Sequence, residues 1–531
     1  MKLKYSWLFL AGALVVVIVS CKKTLDKQSF SQVPDVTAYA SPTKVLQSLN
    51  GVYDAAQSGF YAGNVIRGYP FGAATIEQGD MRGEDMMNQA TFYQITYEAT
   101  YANNSANNDY MFQTLYSLIN KANLTIVGII GAGSSGVITQ AKSLQYQAEC
   151  RLLRAMAHHE LVLHFARPYA DGAGSKMGII YRDFAITGTN TDSAAAIKRS
   201  SFKVSDVYTK ILADLDFAEA NLPAAPDVAT YRASKAVAIA LKMRVKMHMG
   251  DWAGVITEGA KIVSGTYPNF SSPVNSYKLT AGADGAFTNN TSSESLFSMK
   301  NDATDNAGVN GGLAQMYGDP ALTGRGLVRV SPIIWSDPDW KCNDLRRTLL
   351  YRTAGSPVNA VYTTKYKDYT NLSDGTPLVR YSEVLLMLAE AQARQSATVS
   401  QTAIDLLNAV HVRAFATADQ AANTFTTASF ATPVDLVKAI LKERRIEFLA
   451  EGKRWGDISR LALDANYAPV AGGGIPAKVG TGAATAAMFN CSGATVARSV
   501  IAISYTDNRF IWPISLSETQ LNPNYDQNPG Y

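Results

Sequence analysis

RYSEVLLMLAEAQARQSATVSQTAIDLLNAVHVR, residues 380–413, carries apolar residues three and four apart on both sides of a polar break near Thr398 to Ser400. That period places one buried stripe on each of two helices. An earlier stretch, YRASKAVAIALKMRVKMHMGDWAGVITEGAKIVS, residues 231–264, has the same length of 34 residues and breaks at Gly250 and Asp251. Two helix pairs of equal length, far apart in the chain, point to a mainly α fold of stacked pairs.

Thirty-four residues is the length of a tetratricopeptide unit, whose apolar faces are buried only when neighbouring pairs stack on them. The full consensus is absent, so the units are TPR-like. Working outward, the same spacing predicts helices over 42 to 57, 108 to 127, 138 to 165, 203 to 221, 233 to 249, 252 to 264, 381 to 395, 401 to 414 and 434 to 450. Ser41 followed by Pro42 marks the first start. Between the helical blocks lie segments rich in Gly, Asn, Thr, Asp and Tyr, chiefly 59 to 107, 266 to 335 and 464 to 510. Loops this long are uncommon in compact proteins and tend to be functional.

The N-terminus carries its own signal. Lys2 and Lys4 precede an apolar run from Trp7 to Val19, and Ile18, Val19 and Ser20 lead into Cys21, followed by Lys22 and Lys23. This pattern reads as a lipoprotein export signal over 1–20 with Cys21 as the lipidated residue; an ordinary signal peptide that abuts a cysteine is the alternative. The apolar run is too short to span a bilayer, which needs roughly 20 residues, whereas several acyl chains on one cysteine anchor stably. Residues 21–40 read as a polar tether and 41–531 as the globular part.

Of 531 residues, 47% are hydrophobic and 17% charged, enough to bury a large core. Net charge is +4, and loss of residues 1–20 removes Lys2 and Lys4 and leaves +2. No clustered basic face for nucleic acid is visible. Beyond Cys21 the cysteines are Cys150, Cys342 and Cys491. Their spacing gives no zinc site and does not indicate a disulfide framework, and Cys150 reads as a buried thiol in a helix. The 27 tyrosines outnumber the 19 phenylalanines, which suits a polar ligand at a wet surface.

Three motifs invite chemistry and are set aside. GAGSSG, Gly131 to Gly136, matches a dinucleotide fingerprint, but helix precedes it and helical RLLRAMAHHE lies where a second strand and its acid belong, so a loop between two helices is expected. His158, His159 and His164 are not three or four apart, so they cannot share a helix face as metal ligands and read as core or interface residues. No GxSxG elbow occurs. Glu447 and Glu451, four apart on one helix face, resemble a glycosidase pair, but Arg444, Arg445, Arg454 and Arg460 stand close enough to keep carboxylates ionised, whereas a general acid needs a raised pKa. An ion-pair network is expected there, with Gly452 turning the chain before Trp455.

With those residues in place the chain resembles the SusD/RagB family of outer-membrane nutrient-binding lipoproteins of Bacteroidota. The resemblance rests on Leu115, Tyr116, Ile119, Ala122 and Asn123; on AECRLLRAMAHHELVLHFA, Ala148 to Ala166; and on KRSSFKVSDVYTKILADLDFAEANLP, RYSEVLLMLAEAQAR, KERRIEFLAEGKRWGDISRL and NPNYDQNPGY, in the family's order. Phe112, His158, His159 and Ala166 depart from the family pattern at what read as packing positions. The resemblance implies a SusD-like fold of stacked TPR-like pairs with long irregular loops and a few short β-hairpins: a helical part over about 41–265, then a loop-rich ligand part with C-terminal helices over about 266–531. It implies a non-catalytic surface protein without cofactor or metal. Such a protein captures oligosaccharide, or in some members peptide, and delivers it to a SusC-like TonB-dependent transporter.

Sugar rings stack on aromatic faces and their hydroxyls need polar partners. With the family's habit of binding through two loop regions, this implies Arg82, Tyr93, Tyr101, Asn103 and Asn104 from the first loop and Tyr317, Trp335 and Trp340 from the second. Asp80 and Asp85 could instead hold loop geometry through turn bonds. The competing functions are a cell-surface glycan hydrolase using Asp80 or Glu84, and a helical scaffold that contacts only proteins.

Overall fold

A computed structural model describes residues 37–62, 65–289, 291–355 and 359–531. Cys21, the export signal and the tether up to residue 36 lie outside the described residues. We label helices of seven residues or more: α1 Pro42–Gln57, α2 Ala73–Arg82, α3 Thr91–Tyr97, α4 Ala106–Ser134, α5 Gln140–Phe165, α6 Val204–Asn221, α7 Lys235–Met249, α8 Trp252–Ile262, α9 Tyr381–Gln395, α10 Gln401–His411, α11 Pro433–Glu447 and α12 Arg454–Leu461.

The starts and stops have local causes. Ser41 accepts from the Lys44 N–H at 3.4 Å with Pro42 at the first helical position of α1. Thr432 and Asp435 form a reciprocal capping box around Pro433 at the start of α11. Gly250 ends α7 in the left-handed region, φ 74°, and Asp251 at once caps α8 by accepting from the Gly254 N–H at 2.9 Å. The 34-residue units are therefore two antiparallel pairs, α7/α8 and α9/α10, and α8 packs on α9 so that the second pair stacks on the first. Upstream, α1 packs on α4, α4 on α5, α5 on α6 and α6 on α7, while α11 closes the stack against α9. One continuous core runs through these helices.

The strands β1 Met86–Asn88, β2 Ser295–Met299, β3 Val328–Val330, β4 Tyr351–Ala354, β5 Ala360–Thr363, β6 Thr376–Arg380, β7 Gly474–Ile475 and β8 Ile503–Ser504 make four antiparallel pairs. Only β4 with β5 is a short hairpin; β1 with β3 and β2 with β6 join distant parts of the chain. These pairings hold the long loops over a second core built from α2, α3, β1, β3, Trp335, Trp340, Tyr351 and the end of α11.

Four expectations are corrected. GAGSSG is not a loop: α4 continues through Ser134, so Gly131 and Gly133 are helical and the turn starts at Ser135. The segment 59 to 107 contains α2, β1 and α3. α11 stops at Glu447, so Glu451 stands in the following turn, beyond the helix. Cys342 and Cys491 form a disulfide with Cα atoms 5.2 Å apart, 149 residues apart in sequence, a pairing that spacing cannot disclose because the fold alone brings two distant loops together. Cys150 is a buried free thiol, as expected.

Candidate functional site

The loops rest on buried charge. Arg380 donates to Glu447 at 3.0 Å, to Glu451 at 2.9 Å and to Glu294; Arg413 reaches Glu294 at 2.6 Å and Glu447 at 2.9 Å; Arg346 bonds Glu443, Glu447 and Asp344; and Lys365 donates to Glu451 at 2.6 Å. Burial alone would raise the Glu447 carboxyl, yet Arg413, Arg380 and Arg346 hold it well below the usual carboxylate range. Glu443 is likewise held down at about 2, against burial, by Arg346 and His411. The network expected around Glu447 and Glu451 exists, but its cations come from β6, the turn before β4, the segment after β5 and the end of α10. The nearby arginines serve other acids: Arg444 pairs with Asp457, Arg445 with Asp85, Arg454 with Glu84, and Arg460 with Glu390.

The same interior accounts for the acids considered for hydrolysis. Asp80 accepts from the Tyr317 hydroxyl at 2.7 Å and from the Gly452 N–H at 2.9 Å, and burial pushes its carboxyl up to about 7. Glu84, against burial, is held at about 2 by Arg454 and Arg445. Gly452 has φ 71°, and a Cβ there would meet Ile76 Cα at 2.7 Å, so only glycine lets this turn lie against α2. His158, His159 and His164 are buried. His158 stacks on Tyr181 with centroids 3.7 Å apart, and His164 lies over Trp512 at 4.4 Å. Phe112 and Ala166 are buried too, so all four departures from the family pattern are packing positions.

Six of the eight expected ligand residues are interior. Arg82 is clamped over Trp455, 3.4 Å from the ring centroid, and donates to His164 Nδ1 at 3.1 Å and to the Phe510 carbonyl. Tyr93 and Tyr317 are fully buried. Tyr101 donates to the Arg509 carbonyl. Trp335 and Trp340, 8% and 0% exposed, pack edge to face at 5.2 Å with Arg347 over both. These rings offer no face to a solute in this conformation, because the loops that carry them fold inward as the second core. Asn103 is half-buried and Asn104 exposed, in the turn before α4.

What the loops leave at the surface is a ledge of half-exposed rings. Tyr61 and Tyr110 have centroids 4.4 Å apart, Phe92 lies 6.1 Å from Tyr61, and Phe60 meets Tyr110 edge-on at 6.3 Å. α3 places Phe92 outward and Tyr93 inward; α4 supplies Tyr110. The Asn107 side chain donates to the Phe92 carbonyl at 3.0 Å and fixes the two helices to each other. Arg67 lies over both Tyr61 and Phe92, 4.1 and 5.0 Å from their centroids. Val65, Ile66 and Ile95 extend the apolar surface. Gly311, whose Cβ would fall 2.8 Å from the Arg67 carbonyl carbon, brings the second loop alongside. That loop carries Asn310, which accepts from Arg325 at 2.7 Å. The adjacent letters FY are a usable signal here because neighbours on a helix point about 100° apart, and Tyr93 turns in while Phe92 stays half-exposed.

Two concavities lie elsewhere. A groove of about 720 Å³ follows α11, with Phe425, Phe430, Tyr467, Lys438 and Arg498 among its lining. A partly open cavity of about 80 Å³ sits among His159, His164, His248 and Trp455.

Comparison with known proteins agrees along the chain. Residues 343–531 match the family model described as the SusD family, and residues 23–247 match one described as starch-binding associating with outer membrane. SusD-like protein P2 of Formosa agariphila is 26% identical over 387 residues, 66% of this chain and 70% of that one. A SusD superfamily protein from Bacteroides fragilis superposes with TM-score 0.73 at 25% identity, covering 92% of this chain and 99% of the other. Surface glycan-binding protein A from Bacteroides uniformis, at 17% identity, shares the fold with TM-score 0.66 over 92% and 99%. Stacked helix pairs under folded-in loops, with the SusD family model matching one end of the chain and a SusD-like model the other, place this chain in the SusD/RagB family.

Proposed function

We propose that the protein is a lipid-anchored receptor at the outer-membrane surface that captures oligosaccharide on the ring ledge and delivers it, uncleaved, to a SusC-like TonB-dependent transporter. The observation that carries this is the ledge itself: Tyr61, Phe92 and Tyr110 form a cluster of half-exposed rings beside a fixed guanidinium, and a sugar presents apolar C–H faces and hydroxyls to such a surface. Asn103 and Asn104, just ahead of the helix that carries Tyr110, add amides to its margin.

Family membership supports capture, since relatives with this fold are described as starch-binding and as glycan-binding at a surface. The commitment of Asp80, Glu84 and Asp85 to interior bonds supports a role without bond cleavage. The Cys342–Cys491 disulfide suits an oxidising compartment outside the cytosol, in keeping with export through residues 1–20 and acylation of Cys21. The stacked helix pairs are the natural face for the transporter.

The test is titration calorimetry of the soluble form lacking residues 1–21 against an oligosaccharide panel, with a reducing-end assay on the same samples. Binding weakened by Phe92→Ala, with no new reducing ends, supports the reading. Turnover, or binding indifferent to Phe92→Ala, sinks it.

A further inference from the structure

Most buried or half-buried arginines of this protein have an anionic or carbonyl partner. Arg154, Arg232, Arg244, Arg346, Arg380 and Arg460 pair with carboxylates, and Arg199 donates to the Gly178, Asp526 and Phe165 carbonyls. Half-buried Arg67 at the ledge and exposed Arg325 beside it lack one among the described residues, as does Arg329, which lies over the Tyr362 ring. Among the described residues no carboxylate or carbonyl accepts from Arg67; two π faces hold it, and its Nε is buried without a hydrogen-bond partner. Arg325 donates to the neutral Asn310 amide and to the Met316 sulfur, 3.6 Å away.

The acid that both cations approach is Glu77 on α2, in the layer beneath. It does not neutralise them. Burial, with Asp80 nearby, outweighs the Tyr93 hydrogen bond and the attraction of Arg325 and Arg67 and pushes its carboxyl up to about 8, so it carries a proton at neutral pH. Its carboxyl and the Tyr93 hydroxyl bond each other in the interior, whereas Arg67 Nε is buried without a hydrogen-bond partner. Native interiors leave few such atoms, and this one belongs to the cation at the ledge. A guanidinium fixed by rings, desolvated on one side and facing no carboxylate, is a ready partner for an anion, because charge-assisted bonds are roughly twice as strong as neutral ones. Rings bind sugars of any charge, so the uncompensated cations decide the class.

We infer that the ledge selects an anionic oligosaccharide, with Arg67 and Arg325 bonding a carboxylate or sulfate group of a sugar whose ring stacks beside them on Tyr61 and Phe92. The inference rests on the ledge being the capture site. Uronates and sulfated sugars present the same chemistry to a guanidinium, planar oxygens favouring a forked contact in the first and a tetrahedral set in the second.

The full mature-length soluble protein is applied to an array holding neutral, uronate-containing and sulfated oligosaccharides, and hits are titrated at 50 and 500 mM NaCl. The expected result is binding confined to, or roughly tenfold tighter for, the uronate or the sulfated members, weakening as salt rises. Arg67→Gln and Arg325→Gln each lower that preference roughly tenfold, while Arg67→Lys, which keeps the charge, retains part of it and guards against a folding artefact. Binding confined to neutral members, absent altogether, or unchanged in preference by both glutamine variants overturns the inference. Neutral binding that Phe92→Ala abolishes would sink the charge selection alone; binding of any kind that Phe92→Ala leaves intact would sink the ledge with it.

Discussion

Replacing Arg380 with methionine probes the buried network that holds the loops. The side chain is 3% exposed and bonds Glu294, Glu447, Glu451 and Ser382. After Arg380→Met no carboxylate is wholly abandoned: Glu451 keeps Lys365, Glu294 keeps Arg413, and Glu447 keeps Arg346 and Arg413. Three cations then face Asp344, Glu294, Glu443, Glu447 and Glu451 where four did before. Removing one partner from a buried pair costs about 3–5 kcal/mol because charge is left uncompensated, and we expect a loss in that range at pH 7.

The sign of the pH dependence follows from the wild-type network. Glu443 and Glu447 have folded pKa values below their unfolded ones, so their contribution is present above about pH 4.5 and is lost as pH falls towards about 2. In Arg380→Met the surviving carboxylates are easier to protonate, so acid relieves the strain of excess negative charge. Urea unfolding at pH 7 and pH 4, followed by tryptophan fluorescence, should show the deficit shrinking at pH 4 and Arg380→Lys recovering part of it. A variant within about 0.5 kcal/mol of wild type at pH 7, or a deficit equal at both pH values, would refute the reasoning.

Other outcomes follow from single sites. Gly452→Ala should lose at least about 2 kcal/mol, combining left-handed strain with a backbone clash at Ile76. Gly136→Ala, left-handed at φ 75° but meeting nothing within 4 Å, should lose only about 1 kcal/mol; equal losses in thermal melts would discredit the close approach of α2 to this turn. Glu77 binds its proton more tightly folded than unfolded, so it erodes stability as pH rises from about 4.5 to 8. Glu77→Gln should therefore gain on wild type between pH 5 and pH 8, and parallel melting curves would count against a buried acid there. Serine at both Cys342 and Cys491 opens a link between residues 149 apart, and a loss of about 2–4 kcal/mol is expected; indifference of wild type to dithiothreitol would contradict it.

The helical stack is legible in the sequence because apolar residues recur three and four apart along its helices, with ends of α1, α7 and α11 marked by Ser41–Pro42, Ser234, Gly250 and Thr432–Pro433. α2 is not, because it is buried on every side, with Glu77, Gln78, Asp80 and Arg82 all interior, so no polar face alternates with an apolar one. GAGSSG reads as a loop since two glycines weaken a helix locally, yet tertiary packing of α4 on α5 carries it through. The ligand residues are the hardest case. Tyr93, Tyr317 and Trp340 have the composition of wet loop aromatics and end in a core, because whether a loop ring faces water depends on distant pairings such as β1 with β3. Phe92 and Tyr61, with the same chemistry, stay half-exposed.

The most direct test is a crystal structure of the protein soaked with an oligosaccharide that binds in solution. Sugar density stacked on Tyr61 and Phe92 with an acidic group against Arg67 is the result this account predicts. Density in the groove along α11, with the ledge empty, would contradict it.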